Sequence, residues 1–247
     1  MVCNTGTSLV PTIDGKMHHF NNVGLYDALF IMQDSETKTL WNHITGEALY
    51  GPLVGRSLGP IGNLLPTNVK EALESDPKTQ VAISDRPYYV ASKLVSGLSG
   101  TPDPGAPRNR LAPDAQLNDS FIQTLGKEDT RRLRMDMGLG VWTDKTTRYY
   151  PMSVIRDRGR AFVDHIDGKR ALIYIDPETN NPAAMFVDAS TARFERDDIR
   201  LDNGTVVRSG VLVDHRGKPQ TTHGPQQMFT RWYGFALTFP GTEVFGQ

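Results

Sequence analysis

The sequence predicts a mainly β protein, built of antiparallel hairpins with a few short helices and arranged as two pseudo-repeated β-rich halves. Three observations predict this class. Gly (23 residues) and Pro (16 residues) interrupt the 247-residue chain at short intervals. Long apolar stretches with the 3.6-residue period of a helix are scarce. Pairs such as Asp-Gly separate short runs of strand-forming residues.

The first predicted hairpin runs from Leu9 to Phe20, with Asp14 and Gly15 between its two strands. Asp-Gly favours the positive φ angles of a two-residue type I′ turn, whose twist matches that of antiparallel strands. The same four letters, Ile-Asp-Gly-Lys, return at 166–169 and lead into a strand-like run over 171–175. Further turns are predicted at 202–204 and 216–217.

Helical patterns are few and short. The segment from Thr67 to Ser75 begins with a capping residue and has Asp-Pro just beyond its end, which predicts a short helix. Two more short helices are predicted over 118–125 and 152–158.

The two predicted halves are residues 1–95 and 136–247, joined by a loop or linker over 96–135. Residues 97–114 are rich in Pro and Gly and show no period. Trp41-Asn42-His43, followed by Gly-Pro at 51–52, is matched loosely by Val213-Asp214-His215, followed by Gly-Pro at 224–225. Chance recurrence of turn pairs in a β protein is the alternative explanation.

Composition excludes several classes of function. The chain has 27 Lys and Arg against 28 Asp and Glu, a net charge of −1, which argues against a nucleic-acid binder. No apolar run reaches the roughly 18 residues of a transmembrane helix. The one cysteine excludes a disulfide within the chain. Walker loops, Rossmann fingerprints, nucleophile elbows and zinc-protease helices are absent from the sequence.

Cys3 and His43 form the sharpest candidate site. A thiolate and an imidazole are good ligands for copper, zinc or iron, and an imidazole beside a thiol can also activate it as a nucleophile. The competing interpretation is a buried cysteine that acts as a small hydrophobe.

His18 and His19 are neighbours on a predicted strand, where successive side chains point to opposite faces. We therefore expect at most one of them to join any given site, and the other to face solvent.

A second candidate group surrounds Trp41. Asp34, Glu36 and Glu47 supply carboxylates suited to acid and base roles, and an aromatic ring can carry a sugar. In the structural alternative, which the common occurrence of acids near turns favours, Asp34 and Thr37 bond the local backbone and fix the turn before Trp41. Trp41, like the aromatic residues 232, 233 and 235, is expected to fill the core. The candidate binding residues are thus Asp34, Thr37, Trp41 and Glu47.

Several phrases together resemble a known family. They are Val-Cys-Asn-Thr-Gly at 2–6, the stretch from Asp34 to Trp41, Thr-Gly-Glu-Ala-Leu-Tyr-Gly-Pro-Leu-Val-Gly at 45–55, Tyr-Pro at 150–151, and the closing segments 231–236 and 239–243. In this order they resemble the bacterial and archaeal domain-of-unknown-function family 3179 (DUF3179).

The resemblance implies further properties but no activity. Many relatives carry Cys-x-x-Cys where this chain has Cys3, with additional residues upstream, so we expect this chain to be an N-terminally truncated version of a longer protein. The relatives look exported, which implies a periplasmic or extracellular location, although the chain itself shows no signal peptide.

Two functions therefore stand at the level of sequence, and because the choice between them is open, whether the protein is an enzyme is open too. The first is an extracytoplasmic metal-binding or redox-related protein with its site around Cys3, His43 and the 34–41 segment. The second is a non-catalytic β domain that binds a ligand or a partner protein.

Overall fold

The computed structural model describes residues 6–59, 62–64, 67–80 and 119–247. Within them the fold is mainly β, with strands paired almost throughout in the antiparallel sense and with short helices, so the predicted fold class is confirmed. The same part of the chain contains no helix with the length and apolar composition that crossing a bilayer takes.

The first predicted hairpin is present but short. Strands β1 (Thr12–Ile13) and β2 (Lys16–Met17) pair across Asp14 and Gly15, whose φ angles of 49° and 76° are those of a type I′ turn. The next element along the chain is an antiparallel sheet in which each strand pairs with the one that follows it. Its strands are β3 (Phe20–Tyr26), β4 (Leu29–Asp34), β5 (Leu40–Asn42) and β6 (Ala48–Tyr50).

Three further sheets follow in the second predicted half. The Asp-Gly turn at 167–168 repeats the φ angles of the first, at 50° and 75°. The first sheet has the order β16-β7-β8-β17, with β8 and β17 parallel, and comprises β7 (Met137–Trp142), β8 (Thr147–Pro151), β16 (Gln226–Arg231) and β17 (Glu243–Val244). The second has the order β11-β10-β9 and comprises β9 (Ala161–Ile166), β10 (Lys169–Ile175) and β11 (Pro182–Phe186). The third is a meander of β12 (Ala192–Glu195), β13 (Asp198–Leu201), β14 (Val206–Arg208) and β15 (Val211–Val213).

Among the described residues, helices occur at the three predicted places and at one more. The predicted ones are α1 (Val69–Ser75), α2 (Asp119–Ile122) and α3 (Met152–Asp157), each shorter than its predicted segment. The additional helix is α4 (Trp232–Thr238), whose first five residues are all buried. A helix that is apolar on every side carries no amphipathic period, which explains why the pattern did not reveal it.

Aromatic residues fill the interior, as predicted. Trp41 is fully buried in a small cluster with Ile13 and Leu58. Trp232, with its neighbours in α4, belongs to a larger cluster that also contains Ile44 from the first predicted half. The strand pairings of the described residues stay within one predicted half each, whereas this larger cluster joins the two.

The predicted linker is described only from residue 119 onward. There Phe121 in α2 is 7% exposed and packs edge-on against Tyr233, with 5.6 Å between the ring centroids. This part of the segment therefore contributes to the core. The division into two halves and a linker stays a prediction.

Candidate metal site

A tight turn after β4 positions the first group of predicted site residues. The backbone N–H of Thr37 and its hydroxyl both donate to the Asp34 carboxylate, the hydroxyl at 2.8–2.9 Å. The indole Nε1–H of Trp41 donates to Asp34 Oδ2 at 2.8 Å. Lys38, with φ of 62°, carries the chain through the turn. The structure therefore brings Asp34, Thr37 and Trp41 together through the local bonds that the structural interpretation described.

The Asp34 carboxylate is fully buried and ionised. Burial raises its pKa, but the hydrogen bonds from Trp41 and Thr37 and the positive potential of His18 outweigh burial and lower the pKa to about 2. Trp41 is buried too, so its ring face is closed to a sugar or any other ligand.

His18 lies on the other side of the Asp34 carboxylate. The His18 side chain is 7% exposed, and its Nδ1 is 3.6 Å from Asp34 Oδ1 and 3.8 Å from Glu36 Oε2. Both distances exceed those of hydrogen bonds. Nδ1 is a buried polar atom with no hydrogen-bond partner among the residues that the structure describes.

Glu36 is held in place by His19. The backbone N–H of His19 donates to Glu36 Oε2 at 3.0 Å, and the Nδ1 of the His19 ring donates to Glu36 Oε1 at 2.7 Å. The side-chain hydrogen bond is the largest of the effects that lower the pKa of Glu36. His18 is buried and His19 is exposed, as expected. Of the two, only His18 supplies an atom to the group of three ligands that it forms with Asp34 and Glu36, whereas His19 contacts Glu36 from outside that group. The expectation that at most one of them joins a given site stays a prediction.

Ligand atoms of His18, Asp34 and Glu36 all lie within 4.8 Å of one another. Bonds of about 2.0–2.2 Å from zinc to nitrogen and oxygen place tetrahedral ligand atoms roughly 3.3–3.6 Å apart. The cluster is therefore close to the size that a metal ion needs, and the Glu36 side chain is partly exposed. Within the described ranges it is the one group of three such ligands at this spacing.

A second turn in the chain repeats the Asp34 turn without a histidine. Asp176 Oδ1 accepts hydrogen bonds from the backbone N–H of Thr179 at 2.8 Å and from its hydroxyl at 2.9 Å. Asn180 repeats the positive φ angle at 58°. Ala183 stands seven residues after Asp176, where Trp41 stands after Asp34, and Asp176 Oδ2 is buried without a partner in the described structure. Both turns have the sequence Asp-x-Glu-Thr. This repeat, rather than the loose match of residues 41–43 with residues 213–215, was the sequence signal for the second turn.

His43 lies away from this cluster. Its Nδ1 donates to the carbonyl oxygen of Phe30 at 2.8 Å, and its Nε2 is buried beside an apolar cavity. Cys3, its predicted partner, lies outside the described residues. Glu47 is exposed, and its carboxylate accepts from the Thr45 hydroxyl at 3.3 Å. Neither His43 nor Glu47 is part of the three-ligand group.

Comparison with known families adds one finding. The family model described as "Protein of unknown function (DUF3179)" matches residues 1–240. The chain belongs to the DUF3179 family. This confirms the resemblance of the sequence motifs, and the family description names no activity. No curated protein and no solved structure matches the chain.

Proposed function

We propose that this DUF3179 protein binds a divalent transition-metal ion through His18, Asp34 and Glu36. The observation that carries the proposal is the buried Nδ1 of His18, which has no hydrogen-bond partner in the described structure and faces two carboxylates. A buried polar atom without a partner costs about 1–3 kcal/mol, and a bound cation removes that cost.

The surroundings of the cluster support metal binding. His19 orients Glu36, and Trp41 and Thr37 orient Asp34, as outer-shell partners of metal ligands do. Asp34 is ionised down to about pH 2, so metal binding at neutral pH displaces no proton from it.

The donor set narrows the metals predicted from the sequence. One imidazole nitrogen and two carboxylates suit zinc, copper(II) or iron(II) rather than a thiolate-seeking ion such as copper(I). Three protein ligands leave a coordination position for water or another small ligand. The proposal is limited to metal binding and does not extend to a redox role.

Isothermal titration calorimetry, in which Zn²⁺ is added to the EDTA-treated protein, tests the proposal. We expect one ion per chain. His18→Gln should weaken binding by at least the 10- to 100-fold that loss of an outer-shell partner costs. His19→Gln, an exposed change that removes the ring bond to Glu36 Oε1 and keeps the backbone bond to Oε2, should weaken it within that range. His165→Gln, which alters an exposed histidine elsewhere, is the matched control.

Cobalt substitution separates this site from the one predicted at Cys3 and His43. A cobalt ion bound by nitrogen and oxygen lacks the intense near-ultraviolet charge-transfer band of a cobalt thiolate. A spectrum without that band, unchanged by Cys3→Ser, supports the site at His18. A thiolate band, or zinc binding that survives both His18→Gln and His19→Gln, contradicts it.

A further inference from the structure

An apolar cavity of about 530 Å³ opens beside the sheet formed by β3, β4, β5 and β6. Its size lies within the roughly 300–1,000 Å³ of small-molecule sites. Apolar side chains make up most of the lining, and His43 reaches it from the loop after β5. The apolar lining residues that matter below are Leu9, Phe20, Phe30, Met32 and Leu58.

Hydrogen bonding assigns the protonation of the His43 ring. A carbonyl oxygen only accepts, so Nδ1, at 2.8 Å from the Phe30 carbonyl, carries the hydrogen. Burial lowers the pKa of His43 more than this bond raises it, so the ring is neutral at pH 7. Nε2 therefore presents a lone pair, and it is buried without a hydrogen-bond partner in the described part of the chain.

We infer that this cavity binds a small, uncharged organic molecule with an apolar body and one hydroxyl or N–H group, which donates a hydrogen bond to His43 Nε2. The lining is mostly apolar, with Thr7, Asn21 and Asn22 as further polar residues, and so matches a mainly apolar body. A charged ligand would have to lose its hydration against that lining, which is costly without a paired charge. The unsatisfied polar atom of His43, Nε2, is a hydrogen-bond acceptor, so the ligand must supply the donor. This inference concerns a different site from the metal cluster and does not depend on it.

A matched pair of probes tests the inference. 2-Naphthol carries one hydroxyl donor on a two-ring body, and 2-methoxynaphthalene has the same body without the donor. We expect the wild-type protein to bind 2-naphthol about tenfold more tightly, because the ether leaves the His43 acceptor unpaired. Binding is measured by calorimetry and by the fluorescence of the probes.

Variants connect the preference to His43. His43→Phe should abolish the preference for 2-naphthol, whereas His165→Phe should retain it. Met32→Trp, which fills the cavity but leaves His43 in place, should abolish the binding of both probes. His18→Gln should leave both affinities unchanged, which separates this outcome from that of the metal experiment.

Three results would overturn the inference. The first is that neither probe binds the wild-type protein. The second is that both probes bind equally, and the third is that the preference survives His43→Phe in protein with wild-type circular dichroism.

Discussion

Replacement of Trp41 by Phe tests how strongly the indole supports the buried carboxylate. Trp41 and Asp34 are both fully buried, and the 2.8 Å bond between them joins an N–H donor to an ionised acceptor. Hydrogen bonds to charged groups contribute about 1.5–3 kcal/mol. The smaller ring also leaves a cavity beside Phe20, which meets the indole edge-on at 6.0 Å, and this costs about 1 kcal/mol. We therefore expect the free energy of unfolding to fall by about 2.5–4 kcal/mol.

The assay is urea denaturation followed by far-ultraviolet circular dichroism, in EDTA so that bound metal does not contribute. The matched control is Trp142→Phe, which removes the same atoms next to Phe235 and Phe239, aromatic rings rather than a carboxylate. The control should lose about 1 kcal/mol. An equal loss in the two variants, at an unchanged m-value, would refute the reasoning, because the bond to Asp34 would then contribute nothing.

Three further predictions concern the fold and its pH dependence. Gly51→Ala should lower the free energy of unfolding by about 1–3 kcal/mol, because φ is 112° and a Cβ would lie 2.9 Å from Thr39 Cα; an unchanged urea midpoint would contradict this. Tyr150→Phe should cost about 1.5–3 kcal/mol by removing the hydroxyl that donates to Asp164 at 2.7 Å, and a smaller effect would show that the bond is replaceable. Because burial lowers the pKa of His43 below 6.5, the unfolded chain binds more protons, so stability falls as the pH drops below about 6.5. Thermal melts from pH 8 to pH 5 should therefore show a smaller loss of stability for His43→Gln than for the wild-type protein. An equal loss of stability in the two proteins would refute the prediction.

Local turn chemistry made much of the fold readable from the sequence. The Asp-Gly pairs at 14–15 and 167–168 predict their turns because the backbone conformation depends on those two residues alone. Helix α1 was found for the same reason, from a capping residue at one end and Asp-Pro at the other. Helix α4 was missed because it is held by burial on all sides and not by a local pattern.

The sequence predicted only those parts of the candidate site whose residues are close neighbours along the chain. Asp34, Thr37 and Trp41 lie within eight residues, and the Asp-x-x-Thr spacing is enough to close the turn that joins them. His18 reaches the same carboxylate only because β3 pairs with β4 so that Phe20 lies opposite Asp34. The residues just before β3 then meet those just after β4, as the bond from Ser35 N–H to the His19 carbonyl shows. Strand register of this kind depends on packing of the whole sheet.

The sequence by itself determined the fold class, the family, the turns and the set of side chains available for chemistry. Only the tertiary structure decided which of those side chains meet. It placed His18 beside Asp34 and Glu36, and it turned His43 toward the carbonyl of Phe30 and an apolar cavity. Turns are set by the φ and ψ preferences of a few neighbouring residues, whereas the environment of a histidine is set by strand register and burial, to which distant parts of the chain contribute.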